Sequence, residues 1–258
     1  MTKRTRSTWI AGLALLTGLS ATLAAEESQR SRTPKVVGAV SHLLLPTSAN
    51  VSGQFGAVFK TKISIFNASV YNYSIRAGLS VENGEIDARS IPIRSGETLT
   101  FDNFLAEVFN FTGGGAIDLD SQNSAYLFIV TAQVYVDTSA GRYSTAVQFA
   151  DDLGAIVPNR PGFIVGISVN SSFRTNVGCA SNSSLPQTIT FRVFDRDNFL
   201  VGQPASFSLA GFGWGQYSVV VPVNGGGIRI EASRNAVCYG VEVNNISNDG
   251  TYQLAVPF

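Results

Sequence analysis

The residue types that could do chemistry in this chain are few and scattered. There is one histidine, His42, inside the apolar run SHLLLP. A serine hydrolase would need it as the base between an acid and a positioned serine, and no G-x-S-x-G elbow occurs. His42 is therefore read as an incidental strand residue. One His and two Cys leave almost no material for a transition-metal site built from N and S ligands. For calcium, the stretch DRDN supplies a weak candidate set, Asp195, Asp197 and Asn198, and Asp118 and Asp120 lie two apart in DLD. A full calcium loop wants a glycine at its sixth position and a distal glutamate. DRDN is followed by Phe199 and Leu200, the start of a strand, so a hairpin turn is the preferred reading.

Glycoside hydrolysis needs two carboxyl groups held at a set separation in a cleft. Glu82, Glu85 and Asp87 are close together, but they surround Asn83-Gly84 and read as solvation of a turn. The glycine-rich pieces, GGG at 113 and at 225 and GFGWGQY at 211, lack both the G-K-S/T and the G-x-G-x-x-G phosphate-binding spacings. No catalytic residue and no cofactor is assigned, and the chain is read as a protein that is not an enzyme. One binding feature remains. GFGWGQY carries Trp214 between Phe212 and Tyr217, and flat aromatics among glycines can stack on sugar rings. The competing reading is that Trp214 packs within the protein.

Stepping outward from these residues, the N-terminus gives the compartment. Lys3, Arg4 and Arg6 precede the apolar run from Trp9 to Leu19, and small residues lead into ATLAAEES. That is a signal peptide, residues 1–25, too short in its apolar run to span a bilayer. Three of the 18 basic residues lie in that leader, leaving 15 against 18 acidic, a net charge of −3. No nucleic-acid partner is expected, because such a surface is basic. Cys179 and Cys238 are the two cysteines, and in an exported chain they are expected to form one disulfide. Alternation in AVCYGVEV puts Val237, Tyr239, Val241 and Val243 on one face and Cys238 on the other, so either both faces are covered or a bulge intervenes.

The chain also repeats itself. GRYSTAVQF from Gly141 matches GTYQLAVPF from Gly250 at an offset of 109, and the GGG segments match at 112. FKTKISI from Phe59 pairs with FRTNVGC from Phe173 at 114, and Gly38 with Gly154 at 116. Anchors in one order with slowly drifting offsets are the mark of a tandem duplication. Within each unit, runs such as FKTKISIFN, YLFIVTAQVYV and TITFRVFD alternate and are bounded by turn residues, which predicts short strands. FDNFLAEVFNF breaks the pattern. Its apolar residues step by three and four, which predicts a short amphipathic helix lid with Asp102 as N-cap.

The expected fold is all-β: two tandem antiparallel β-sandwich domains related by internal duplication, residues 33–150 and 151–258. FRTNVG opening a strand, an Asn- and Ser-rich turn, then TITFRVFDRDNFLVG resembles a repeated immunoglobulin-like module of uncharacterised bacterial secreted and surface proteins. The G-x-Y before the last strand of each unit belongs to the same likeness. The first unit departs from it, with FKTKIS in place of FRTN. The resemblance implies a non-catalytic surface or extracellular module and carries no activity over.

Two alternatives stand beside this reading. Phe258, Val256, Leu254 and Tyr252 alternate to the C-terminus as on the closing strand of an outer-membrane barrel, but the same pattern recurs mid-chain at Phe149, where a targeting strand has no role. A secreted hydrolase would need an acid-lined cleft that the sequence does not display. The expectation is a secreted, periplasmic or cell-surface protein with a polysaccharide or cell-surface partner, peripheral to the membrane.

Overall fold

Strand follows strand because apolar side chains recur at every second position, and each row finds a facing sheet. In the computed structural model, the described residues are 39–53, 56–138, 141–150 and 155–258. The leader, the anchors Gly38 and Gly154, and residues 151–154 at the start of the second half lie outside them. The first half contains β1 (His42–Ser52), β2 (Val58–Asn67), β3 (Tyr73–Val81), β4 (Gly84–Ile93), β5 (Thr98–Phe101), α1 (Phe104–Phe109), β6 (Gly113–Asp120), β7 (Phe128–Thr138) and β8 (Gly141–Ala146). The second contains β9 (Gly162–Val169), β10 (Phe173–Ser181), β11 (Gln187–Phe194), β12 (Leu200–Leu209), β13 (Trp214–Ser218), β14 (Val223–Ala232), β15 (Ala236–Asn244), β16 (Gly250–Leu254) and β17 (Val256–Pro257).

The second half is a sandwich of two sheets, ordered β13-β10-β15-β16 and β12-β11-β14-β9-β17, with all pairings antiparallel. The first half has the same order with every strand number lowered by eight: β5-β2-β7-β8 and β4-β3-β6-β1. Here the two sheets are joined into one eight-stranded sheet, because the end of β1 also pairs with β2 at Asn50, Val51 and Ser52. β1 has an irregularity between Leu45 and Ser48, around Pro46. A bulge of this kind bends a strand and lets it serve two sheets. The strand orders run from one edge to another and do not close, so the described strands form sandwiches and not the barrel that the terminal alternation had suggested.

The cores follow from the alternation. Val177, Cys179 and Cys238 from one sheet meet Ile164, Ile189, Phe191, Ile228 and Ile230 from the other inside the second sandwich. Ile63, Ile65, Leu79, Ile117 and Leu119 fill the first, joined by Phe104, Leu105 and Phe109 from α1. The helix forms where predicted, but its N-cap is Asn103, whose side chain accepts from the Ala106 N–H, while Glu107 accepts from the Asn103 N–H at 2.6 Å. Asp102, the expected cap, instead pairs with Lys62 at 2.8 Å. An amide cap one residue later leaves the Asp102 carboxylate free to reach a cation.

The halves do not each close alone. The core of the first also contains Tyr239 and Tyr252 of the second, with Val241 and Leu254 packed against it. This resolves the two-faced pattern of AVCYGVEV. β15 is covered on both sides, Cys238 facing the second sandwich and Tyr239 the first.

Candidate inter-sheet binding cleft

Register shows which side chains share the outer face of the second half's shorter sheet. Opposed residues of an antiparallel pair point to the same side. Arg174 lies opposite Val243, Asn176 opposite Val241 and Gly178 opposite Tyr239. On the flanking strands, Ser218 and Gln216 face Asn176 and Gly178, and Tyr252 and Leu254 face Val241 and Tyr239. At one end of this face Tyr239 and Leu254 seal against the first half. At the other end the two halves diverge, leaving a cavity of about 340 Å³. Arg174, Asn176, Gln216, Val241, Val243 and Tyr252 form one wall. Val51, Phe59, Val134, Val136 and Tyr143 of the first half form the other, sharing one face because Phe59 opposes both Val51 and Val136, and Val136 opposes Tyr143.

Two polar groups in this cleft stand out. The Tyr252 ring is only 8 % exposed, and its hydroxyl has no hydrogen-bond partner. Burial, with a further contribution from Tyr239, holds that phenol well above its ordinary value. A buried polar group left unpaired costs roughly 1–3 kcal/mol. Arg174 gives one N–H each to Asn245 Oδ1 and Asn248 Oδ1, both at 3.0 Å. Both acceptors are neutral, and burial lowers the guanidinium pKa.

The residues singled out from sequence fall elsewhere. Trp214 and Tyr217 are three apart on β13 and point to opposite faces. Trp214 Nε1 donates to Pro46 O at 2.9 Å, and the ring lies over Gly114, where a Cβ would come within 2.7 Å of it. Tyr217 stacks on Phe207 at a centroid distance of 3.9 Å. Phe212 is exposed, with φ at +53°. The three rings make no common stacking platform, which corrects that expectation: β alternation separates residues that are neighbours in sequence.

Asp195 Oδ1 accepts from the N–H groups of Asp197 (3.0 Å) and Phe199 (2.9 Å), closing the hairpin between β11 and β12. Among the described residues, no group of three or more His, Cys, Asp or Glu gathers as a cation site. Cys179 and Cys238 are bonded to each other, directly opposed on β10 and β15. His42 is more engaged than a stray strand histidine. Its Nε2 lies 2.7 Å from Asp118 Oδ2, and Arg76 links Asp118 to Glu85. Asp87 pairs with Arg89 at 2.6 Å, so Glu85 and Asp87, two of the acids around Asn83-Gly84, are engaged by neighbouring cations.

The cleft was missed because its walls are about 100 residues apart in sequence. One local signal existed. The Arg and Asn of FRTN alternate, so they share a face with Tyr239, Val241 and Val243.

Fold and cleft together define an all-β sandwich protein stapled by one disulfide. No family model matches the chain, and no curated protein matches it. Among solved structures it is similar to the apo form of a lectin from Pleurotus ostreatus, with 11 % identity over 88 % of this chain and 78 % of that one, at a TM-score of 0.20. A likeness of that size bears on neither mechanism nor ligand here.

Proposed function

We propose that this is an exported, non-catalytic protein of two duplicated β-sandwich units that works by binding, with a polysaccharide or cell-surface partner engaged at the cleft between the units. The observation that carries the reading is the cleft itself, with Arg174, Asn176 and Gln216 set among valine and aromatic side chains in its lining. Ligand sites are concave, mostly apolar and furnished with a few placed polar groups, and this cavity has that composition.

Export is supported by the leader and by the disulfide, which suits an oxidising compartment. Among the described residues, no helix is long and apolar enough to cross a membrane. Duplication is supported by the strand order common to the two halves. The non-catalytic reading is supported by the ion pairs that engage Glu85, Asp87, Asp118 and Glu231.

The test is retention of the purified protein on insoluble cell-envelope and plant polysaccharides, with reducing-end release measured in the same tubes. Retention without release is expected. Release of reducing ends at enzymatic rates would contradict the reading, as would failure to be retained by any envelope or polysaccharide fraction.

A further inference from the structure

We infer that a second cavity, between the outer face of the β4-β3-β6-β1 sheet and the β12–β13 turn, takes one uncharged sugar ring, its apolar face on Phe212 and its hydroxyls on Arg76, Glu85 and Asp118. This rests on the binding role proposed above for the class of partner, and places a sugar unit outside the cleft already described.

Alternation builds the first wall. Leu43, Leu45, Leu79, Ile117 and Leu119 face the core of the first half, which turns His42, Leu44, Ser80 and Asp118 outward. Gly78 opposes Asp118 and Ser80 opposes Glu85, so Arg76, Glu85 and Asp118 share that outer face. Arg76 gives one N–H to Asp118 Oδ1 at 3.4 Å and another to Glu85 Oε1, and His42 Nε2 lies 2.7 Å from Asp118 Oδ2. These contacts fix the four side chains without closing them off, since between 27 % and 45 % of each stays exposed. Two of the five guanidinium N–H groups are used, and each carboxylate keeps lone pairs for further donors. Asp120, on the same face, accepts from the Gln122 N–H at 2.6 Å and does not line the cavity. Both carboxylates of the lining already lie beside a cation. The wall therefore offers fixed donors and acceptors without calling for an ion, which suits hydroxyl groups.

The opposite wall carries an independent observation. Phe212 sits in the turn between β12 and β13 with φ at +53°, a region that bulky residues rarely adopt. The turn is pinned on both sides: the Phe212 N–H donates to Ser183 O and the Ser181 N–H to Gly213 O, each at 2.7 Å. Glycine would take this backbone without strain. Burial does not offset the strain of the phenylalanine, because 47 % of it is exposed. Strained residues of this kind gather at ligand clamps, and this ring lines the same cavity as His42, Arg76, Glu85 and Asp118. The cavity measures about 490 Å³, within the range of small-molecule sites. A pyranose carries C–H groups on its faces and hydroxyls around its edge. It complements a flat apolar ring set beside fixed polar groups.

The experiment is titration calorimetry on the full exported, disulfide-bonded protein with four uncharged probes: lactose, maltose, cellobiose and N,N′-diacetylchitobiose. At least one is expected to bind saturably. Phe212→Gly is expected to weaken that sugar about five- to tenfold, the weight of a lost aromatic contact. Its urea midpoint should equal or exceed the parent's, because the backbone strain is relieved. Asp118→Asn is expected to weaken the same sugar about tenfold, the weight of a hydrogen bond to a charged group. Should Asp118→Asn fail to fold, Phe212→Gly carries the test. Binding of none of the four probes would overturn the inference, as would a Phe212→Gly protein that binds the sugar as tightly as the parent. So would a Phe212→Gly protein that loses stability along with binding, since the ring would then serve packing. In each case, retention on polysaccharide would still leave the broader binding role standing.

Discussion

The ring of Tyr239 lies across Gly178 on the neighbouring strand: a Cβ built on Gly178 would sit 2.2 Å from Tyr239 Cζ and from its hydroxyl oxygen. Tyr239 is fully buried, donates to Gln216 Oε1 at 2.9 Å and belongs to the core of the other half. The glycine thus makes room for the ring that ties the two sandwiches together. Gly178→Ala is expected to force that ring out of place and cost about 1–3 kcal/mol, the range for overpacking. Urea unfolding checks it. A variant as stable as the parent would mean the halves are not locked by this contact.

The Cys179–Cys238 bond closes a sequence separation of 59 residues, and both residues are buried. In the chain-entropy picture, a loop of that length stabilises by about 4 kcal/mol. Cys179→Ala combined with Cys238→Ala should lower the unfolding free energy, read from urea titration, by an amount of that order. Native protein should resist mild reductant, because a thiolate must first reach the buried sulfurs. Rapid labelling of both thiols under native conditions with reductant would contradict the burial.

Trp214→Phe removes the hydrogen bond to Pro46 O and part of the ring seated on Gly114. A loss of about 1–2 kcal/mol is expected, since one hydrogen bond contributes about 1 kcal/mol and packing adds to it. Retention on polysaccharide should be unchanged. Loss of retention with unchanged stability would return Trp214 to a ligand-stacking role.

Burial raises the phenol pKa of both Tyr239 and Tyr252 above their ordinary 10.0. In the folded protein they stay protonated to higher pH than in the unfolded chain. Their contribution is therefore fully present below about pH 10 and is lost as pH rises through the folded values. Each tyrosine can contribute a slope of up to about 1.4 kcal/mol per pH unit in that window. Stability measured from pH 8 to 11.5 should fall above pH 10, and less steeply in Tyr239→Phe. A flat profile would contradict the burial of these phenols.

Much of the fold was legible in the sequence. The strand runs, the short helix and the expected disulfide follow from alternation, a three-and-four spacing and the cysteine count. The cap was misplaced by one residue because Asp102 and Asn103 are both good caps, and only the tertiary position of Lys62 decides between them. The facing of β15 stayed open, since one strand's pattern cannot say what covers its second side. The same limit hid the cleft: Arg174 and Asn176 could be placed on one face, but the Val51, Phe59 and Val136 wall comes from the other half. For Trp214 the sequence left ligand stacking and internal packing both open, and Gly114 on the facing half, far away in sequence, is what accommodates the ring.

The central claim is an exported protein that folds in an oxidising compartment and acts there by binding. The measurement that reaches it most directly is fractionation of the native host, followed by mass determination under non-reducing conditions. A chain shortened by about 25 residues, carrying the Cys179–Cys238 bond and released from the envelope without detergent, is the predicted result. An unprocessed chain with free thiols in the cytosol would contradict it. So would a chain that leaves the outer membrane only in detergent and migrates in a heat-modifiable way.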